Sequence, residues 1–126
     1  MSRPTPEVRR TPRGSLLLAS TYAALAVVGL VGTWYFNLGY RGGNYVGDWF
    51  ANAASSSAAV DILVVFVVCV ALYVRESRRL GWRAWVPVVF AVMSLVPAVA
   101  FAFPLFLALR EVRLVRRRSP SISEAI

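Results

Sequence analysis

The sequence predicts an all-α membrane protein: a compact bundle of three transmembrane helices with a short interfacial segment between helices 1 and 2. Two observations predict it. Of 126 residues, 58% are hydrophobic, more than a soluble domain of this size covers with polar surface. The apolar residues also fall into three long runs separated by charged or glycine-rich stretches. The length allows one small membrane domain.

Residues 1–14 hold three prolines and four arginines and read as a basic N-terminal tail. Residues 15–36 follow without a charge, 22 in a row. A spanning helix needs about 20 apolar residues, so this is the first helix. The run is long for a signal peptide, and Leu30-Val31-Gly32 is a poor cleavage site. We therefore expect it to stay in the protein. Residues 34–50 carry Trp34, Tyr35, Tyr40, Tyr45 and Trp49, the aromatic belt of a membrane–water interface. Gly39, Gly42, Gly43 and Gly47 disfavour regular helix over 39–47, and a short interfacial helix is expected over 48–54.

The second helix is expected over 55–74. Its own apolar run, residues 62–74, gives only about 20 Å of helix against a hydrocarbon core of about 30 Å. The helix must begin near Ser55, which places Asp61 about 9 Å inside one face. The charged loop Arg75–Arg83 ends the helix at Gly81, with Trp82 and Trp85 as interface anchors. The third helix covers 84–109, with Pro97 mid-span as a kink. Residues 110–126 form a basic C-terminal tail, so the membrane domain is 15–109.

All 14 basic residues are arginines, and the net charge is +8. They flank apolar runs, which points to topology and lipid headgroups and against nucleic acid. With no histidine and one cysteine, an intramolecular disulfide, a His/Cys metal site, a His-ligated haem and a Ser-His nucleophile are excluded. No cofactor is expected.

Charge counting leaves a conflict. Three crossings with the N-terminus inside put Arg3, Arg9, Arg10, Arg13, Arg75, Arg78, Arg79 and Arg83 inside, but leave the five tail arginines outside with Arg41. A hairpin at Pro97 would bring the tail back inside and leave Arg41 alone outside. Residues 84–109 are too few for two full crossings. Three crossings are therefore the expectation, with a half-depth hairpin or a partner covering the tail as the alternative.

The candidate intramembrane contact is Asp61, with Thr33 and a snorkelling Arg110 expected at the same end. Its shelter on the bland reading is the helix N-terminus behind Ser55, Ser56 and Ser57. Gly29 with Thr33, and Ser94, Ala98 and Ala102 at four-residue spacing, are candidate helix-packing positions. Arg75, Arg78, Arg79, Arg113, Arg116, Arg117 and Arg118 are candidates for docking or lipid-headgroup contact. Glu76 can pair with Arg79 or Arg83.

Four segments resemble a family of short bacterial integral membrane proteins known only as a domain of unknown function: Trp34-Tyr-Phe-Asn37, Asn52-Ala-Ala-Ser-Ser-Ser57 followed by Asp61, Arg78-Arg-Leu-Gly81, and Phe103-Pro-Leu-Phe-Leu-Ala-Leu-Arg-Glu111. The resemblance covers about residues 15–111. It implies a compact three-helix unit and no activity, so no functional residue is carried over from it. The basic tail beyond Glu111 looks like an addition to that core.

The expected function is a non-enzymatic accessory or stabilising subunit of a larger membrane complex, a lipid transporter being the class favoured. Its partners would be membrane lipids and other integral subunits in a bacterial cytoplasmic membrane. The alternatives are a module binding a lipid, isoprenoid or quinone near Trp34 and Tyr35, and an ion- or proton-conducting oligomer using Asp61.

Overall fold

The computed structural model describes residues 11–118; the outer parts of both predicted tails, with Arg3, Arg9 and Arg10, lie outside the described residues. The chain is all helical: α1 Pro12–Gly39, α2 Tyr45–Trp49, α3 Ala53–Arg79, α4 Trp85–Met93, a π-type turn Ser94–Ala98 and α5 Val99–Arg118. Three stretches, Pro12–Gly39, Ala53–Arg79 and Trp85–Arg118, are long and apolar enough to cross a membrane. The protein is an all-α, multi-pass membrane bundle.

Each helix begins and ends where local chemistry dictates. Thr11 caps α1 by accepting from the Gly14 N–H, and Pro12 occupies the first turn, where its missing donor costs nothing. The cap of α3 is Asn52 rather than the serine run itself. Asn52 accepts from the Ser55 N–H and Ser55 Oγ accepts from the Asn52 N–H, a reciprocal capping box. The end of α3 is closed at Gly81, whose φ of 63° suits a residue without Cβ. There the Trp82 N–H donates to Ser77 and the Gly81 N–H to Arg78, the paired bonds of a Schellman stop. The interfacial helix α2 sits at 45–49, three residues earlier than expected, because Asn44 caps it through the Gly47 N–H.

The third apolar stretch is not straight. The rings of Phe90 and Phe106 lie 5.1 Å apart, and Trp82 lies 5.5 Å from Phe106. Sixteen residues of continuous helix would separate Phe90 from Phe106 by about 24 Å. The chain therefore reverses at Ser94–Ala98, and α4 and α5 form a hairpin. Pro97 lies in this turn and has no N–H to donate to Met93, which opens the helical ladder where the chain bends. α4 is about 14 Å long, half the thickness of the hydrocarbon core. The hairpin gathers the described arginines accordingly. Arg13, Arg75, Arg78, Arg79, Arg83, Arg110, Arg113, Arg116, Arg117 and Arg118 gather at one end, and Arg41 stands at the other.

The hairpin is wedged between α1 and α3. Its α5 arm packs along α1, its α4 arm along α3, and α1 and α3 barely touch each other. The α1–α5 seam uses small side chains: Ser15, Ala19 and Ala26 are buried on α1, and Ala102 and Ala108 on α5. Gly29 lies directly against the Ala100 carbonyl, where any Cβ would collide with the backbone. Pro104 lacks the N–H that an α-helix would supply to that carbonyl. On the other side, Cys69, Tyr73, Phe90, Ala102 and Phe106 form the core.

Candidate functional site

Beneath the aromatic core lies the most polar interior of the molecule. Glu76 ends its helix buried, and Arg110 reaches it from α5, donating through Nε to Oε2 at 2.8 Å. The same guanidinium donates through Nη1 to Glu111 at 3.0 Å. Glu76 and Glu111 are 8% and 3% exposed at the side chain, and Arg110 is 26% exposed. Arg79 adds a longer contact to Glu76 at 3.6 Å. Arg117 donates to the Leu80 carbonyl, tying the far end of α5 to the loop after α3. One turn above, the Tyr73 hydroxyl meets Ser94 Oγ at 3.0 Å, and Ser94 donates on to the Phe90 carbonyl. α3 thus grips the hairpin at its tip and at its base.

This arrangement corrects the expectation for Asp61. Arg110 does not lie at the Asp61 end: the reversal at Ser94–Ala98 carries it to the opposite end of α3, beside Glu76. Asp61 itself is exposed on the outer side of α3 and lines none of the cavities described below. Thr33 does lie at the Asp61 end, beside Ile62 rather than Asp61. The expected stripe of Ser94, Ala98 and Ala102 is likewise broken by the turn. Ser94 is bonded to Tyr73, Ala98 closes the bend, and Ala102 is buried in the core. Gly29 holds its predicted packing role, with Ala100 as its neighbour.

Two of the concave regions combine apolar walls with a polar rim at one end of the bundle. At the aromatic end, a cleft of about 440 Å³ opens above the hairpin tip, lined by Thr33, Asn37, Tyr45, Trp49, Ile62 and the turn itself. Its rim is fixed by hydrogen bonds: Tyr45 donates to Asn37 Oδ1 at 2.7 Å, and Tyr40 donates to Asp48 at 2.5 Å. The Asp48 carboxylate holds the Tyr40 phenol above its ordinary value by accepting that bond. At the arginine end, a second cavity of about 340 Å³ lies between α4 and α5. Trp34 and Tyr35, expected beside a ligand, are exposed and line neither.

The arginines divide by role. Arg110, Arg117 and Arg79 are engaged within the chain. Arg75 and Arg78 are exposed on α3, beside shallow grooves. Arg113 and Arg116 border the α4–α5 cavity. Arg118 closes the helix.

Residues 21–112 match the family described as Protein of unknown function DUF2834. The chain belongs to that family. The match runs from the third turn of α1 to just past Glu111, so it contains the hairpin and the Glu76–Arg110–Glu111 cluster. The final turns of α5, from Arg113 onward, lie beyond it. No curated protein and no solved structure matches the chain.

Proposed function

We propose that this DUF2834 chain is a non-enzymatic accessory or stabilising subunit of a larger complex in a bacterial cytoplasmic membrane, with its arginine end inside. A transporter, and among transporters one that moves lipid, is the class of complex favoured. One observation carries the reading. The hairpin stops short of the aromatic end, so the outer parts of α1 and α3 stand apart with uncovered faces, Val31, Tyr35 and Phe36 on one and Val60, Leu63 and Val64 on the other. In lipid, helices associate through packing and small polar contacts rather than through the hydrophobic effect. A pair of splayed helices on a rigid, ion-paired base suits insertion beside another subunit's helices. The positive-inside tendency supports the orientation.

The test is affinity purification of the chain from native membranes at native expression. A stoichiometric assembly with integral membrane partners is expected. Recovery as a free monomer after mild solubilisation overturns the reading.

The cleft at the hairpin tip favours a second reading. Apolar walls with neutral polar groups at the rim suit a small amphiphile such as an isoprenoid, a quinone or a lipid chain. Native mass spectrometry of the chain released from membranes would then retain such a molecule, and Thr33→Leu would lose it. A bare chain in both cases removes this reading and leaves the first untouched.

A further inference from the structure

The cavity between α4 and α5 differs from the cleft at the hairpin tip in its chemistry. No residue of α1 or α3 lines it. Its walls are Val86, Val89 and Leu109, its depth ends on Phe90, and its mouth at the arginine end carries Arg113 and Arg116. These two arginines are three residues apart on α5 and share a face. Both are exposed, and neither has an acidic or hydrogen-bonding partner among the described residues. Their neighbours Arg110 and Arg117 are occupied, by Glu76 and by the Leu80 carbonyl. Trp82 and Trp85 complete the cavity where an aromatic ring prefers to sit, at headgroup level.

An apolar slot continuous with two unneutralised guanidinium groups matches one kind of membrane component. We propose that this groove binds an anionic phospholipid, with an acyl chain against Val86, Val89 and Leu109 and the phosphate held between Arg113 and Arg116. Guanidinium forks pair with phosphate through parallel hydrogen bonds, and two of them on one helix face fix the headgroup position. An acidic peptide would satisfy the arginines and leave the apolar slot unused. The walls belong to the segment that matches the family, whereas both arginines lie beyond it. The headgroup preference is therefore supplied by the extension of α5. The proposal does not depend on the accessory-subunit reading.

Trp82 and Trp85 make the groove its own reporter. The full chain, with Trp34→Phe and Trp49→Phe to silence the other end, is placed in phosphatidylcholine vesicles. These contain a small fraction of brominated phosphatidylglycerol or brominated phosphatidylcholine, and tryptophan quenching is read. A roughly tenfold preference for the brominated anionic lipid is expected, from two arginines at the membrane surface. Arg113→Gln with Arg116→Gln should abolish it, while Arg75→Gln with Arg78→Gln should leave most of it. Val89→Trp, which fills the slot and keeps both arginines, should also abolish it when read by displacement of a spin-labelled phosphatidylglycerol. Helical circular dichroism checks that each variant is folded. Equal quenching by the two lipids in the parent chain overturns the proposal. So does a preference that survives the double arginine variant, which would be diffuse surface charge. Persistence in Val89→Trp removes the acyl-chain slot, and full displacement by an acidic peptide assigns the arginines to a protein partner instead.

Discussion

At the arginine end, three helices meet around Tyr73, Phe90 and Phe106, with a buried ion cluster beneath them. At the aromatic end, α1 and α3 barely touch, and side-chain hydrogen bonds and edge-on or tilted ring contacts among Asn37, Tyr40, Tyr45, Asp48 and Trp49 tie the end of α1 to α2. The first end is closed by packing and charge inside the chain. The second is left open toward lipid or a neighbour. The difference teaches where the rigidity comes from: ring packing and ion pairs below, a clip of side-chain hydrogen bonds above.

Removing the ion cluster is expected to have the largest effect. Arg110→Ala leaves Glu76 with the longer Arg79 contact and strips Glu111 of its guanidinium neighbour. A loss of about 3–5 kcal/mol follows from removing the main partner of the buried Glu76 carboxylate, measured by reversible unfolding in mixed micelles. A smaller loss would mean that the lower half draws its rigidity from the aromatic core instead. Gly29→Val comes next. Its side chain meets the Ala100 backbone and should cost about 1–3 kcal/mol as overpacking, read in the same assay. An unchanged stability would show that α1 can slide on α5.

Tyr73→Phe removes the bond to Ser94 at the hairpin tip. Interhelical hydrogen bonds of this kind average about 0.6 kcal/mol in membranes, so a small loss is expected. It should be accompanied by faster amide exchange in Ser94–Ala98. At the aromatic end the Tyr40–Asp48 bond should respond to pH rather than to denaturant. The folded phenol titrates above the ordinary 10.0, so its contribution is complete below that value and disappears as pH rises through the raised one. Ultraviolet difference titration against Tyr40→Phe should show this late-ionising tyrosine. Titration at the ordinary value would remove the clip. The smallest effect belongs to Asp61→Asn. The side chain is exposed and unpaired among the described residues, so stability should change by less than about 0.5 kcal/mol. A large loss would show that the side chain has a partner in the assembled protein.

The sequence carried most of the fold and little of the site, for a common reason. Helix positions follow from apolar runs, capping residues and Gly81, all of which act within a few residues. The hairpin was visible as two hints, Pro97 and a charge count that became one-sided only if the tail returned. The length of 84–109 argues against two full crossings and accommodates a hairpin whose α4 arm is nine residues long. Whether one long helix bends back is decided by Tyr73, Phe90 and Phe106 meeting across the turn, and no local pattern encodes that meeting. Glu76 and Arg110 are 34 residues apart and pair only once the turn is made. Hence Arg110 was legible as a snorkelling cation and not as the partner of Glu76.

The hairpin also has a consequence for how charge is divided between the two ends. The turn leaves α1 and α3 as the two arms that reach the aromatic end, where residues 40–52 join them. That segment holds Arg41 and Asp48, whose charges cancel. A membrane potential does about 2.3 kcal/mol of work per elementary charge for each 100 mV, and on this pair it does no net work. The remaining described arginines gather at the opposite end, so the electrical balance of the described aromatic end is set by one carboxylate, Asp61.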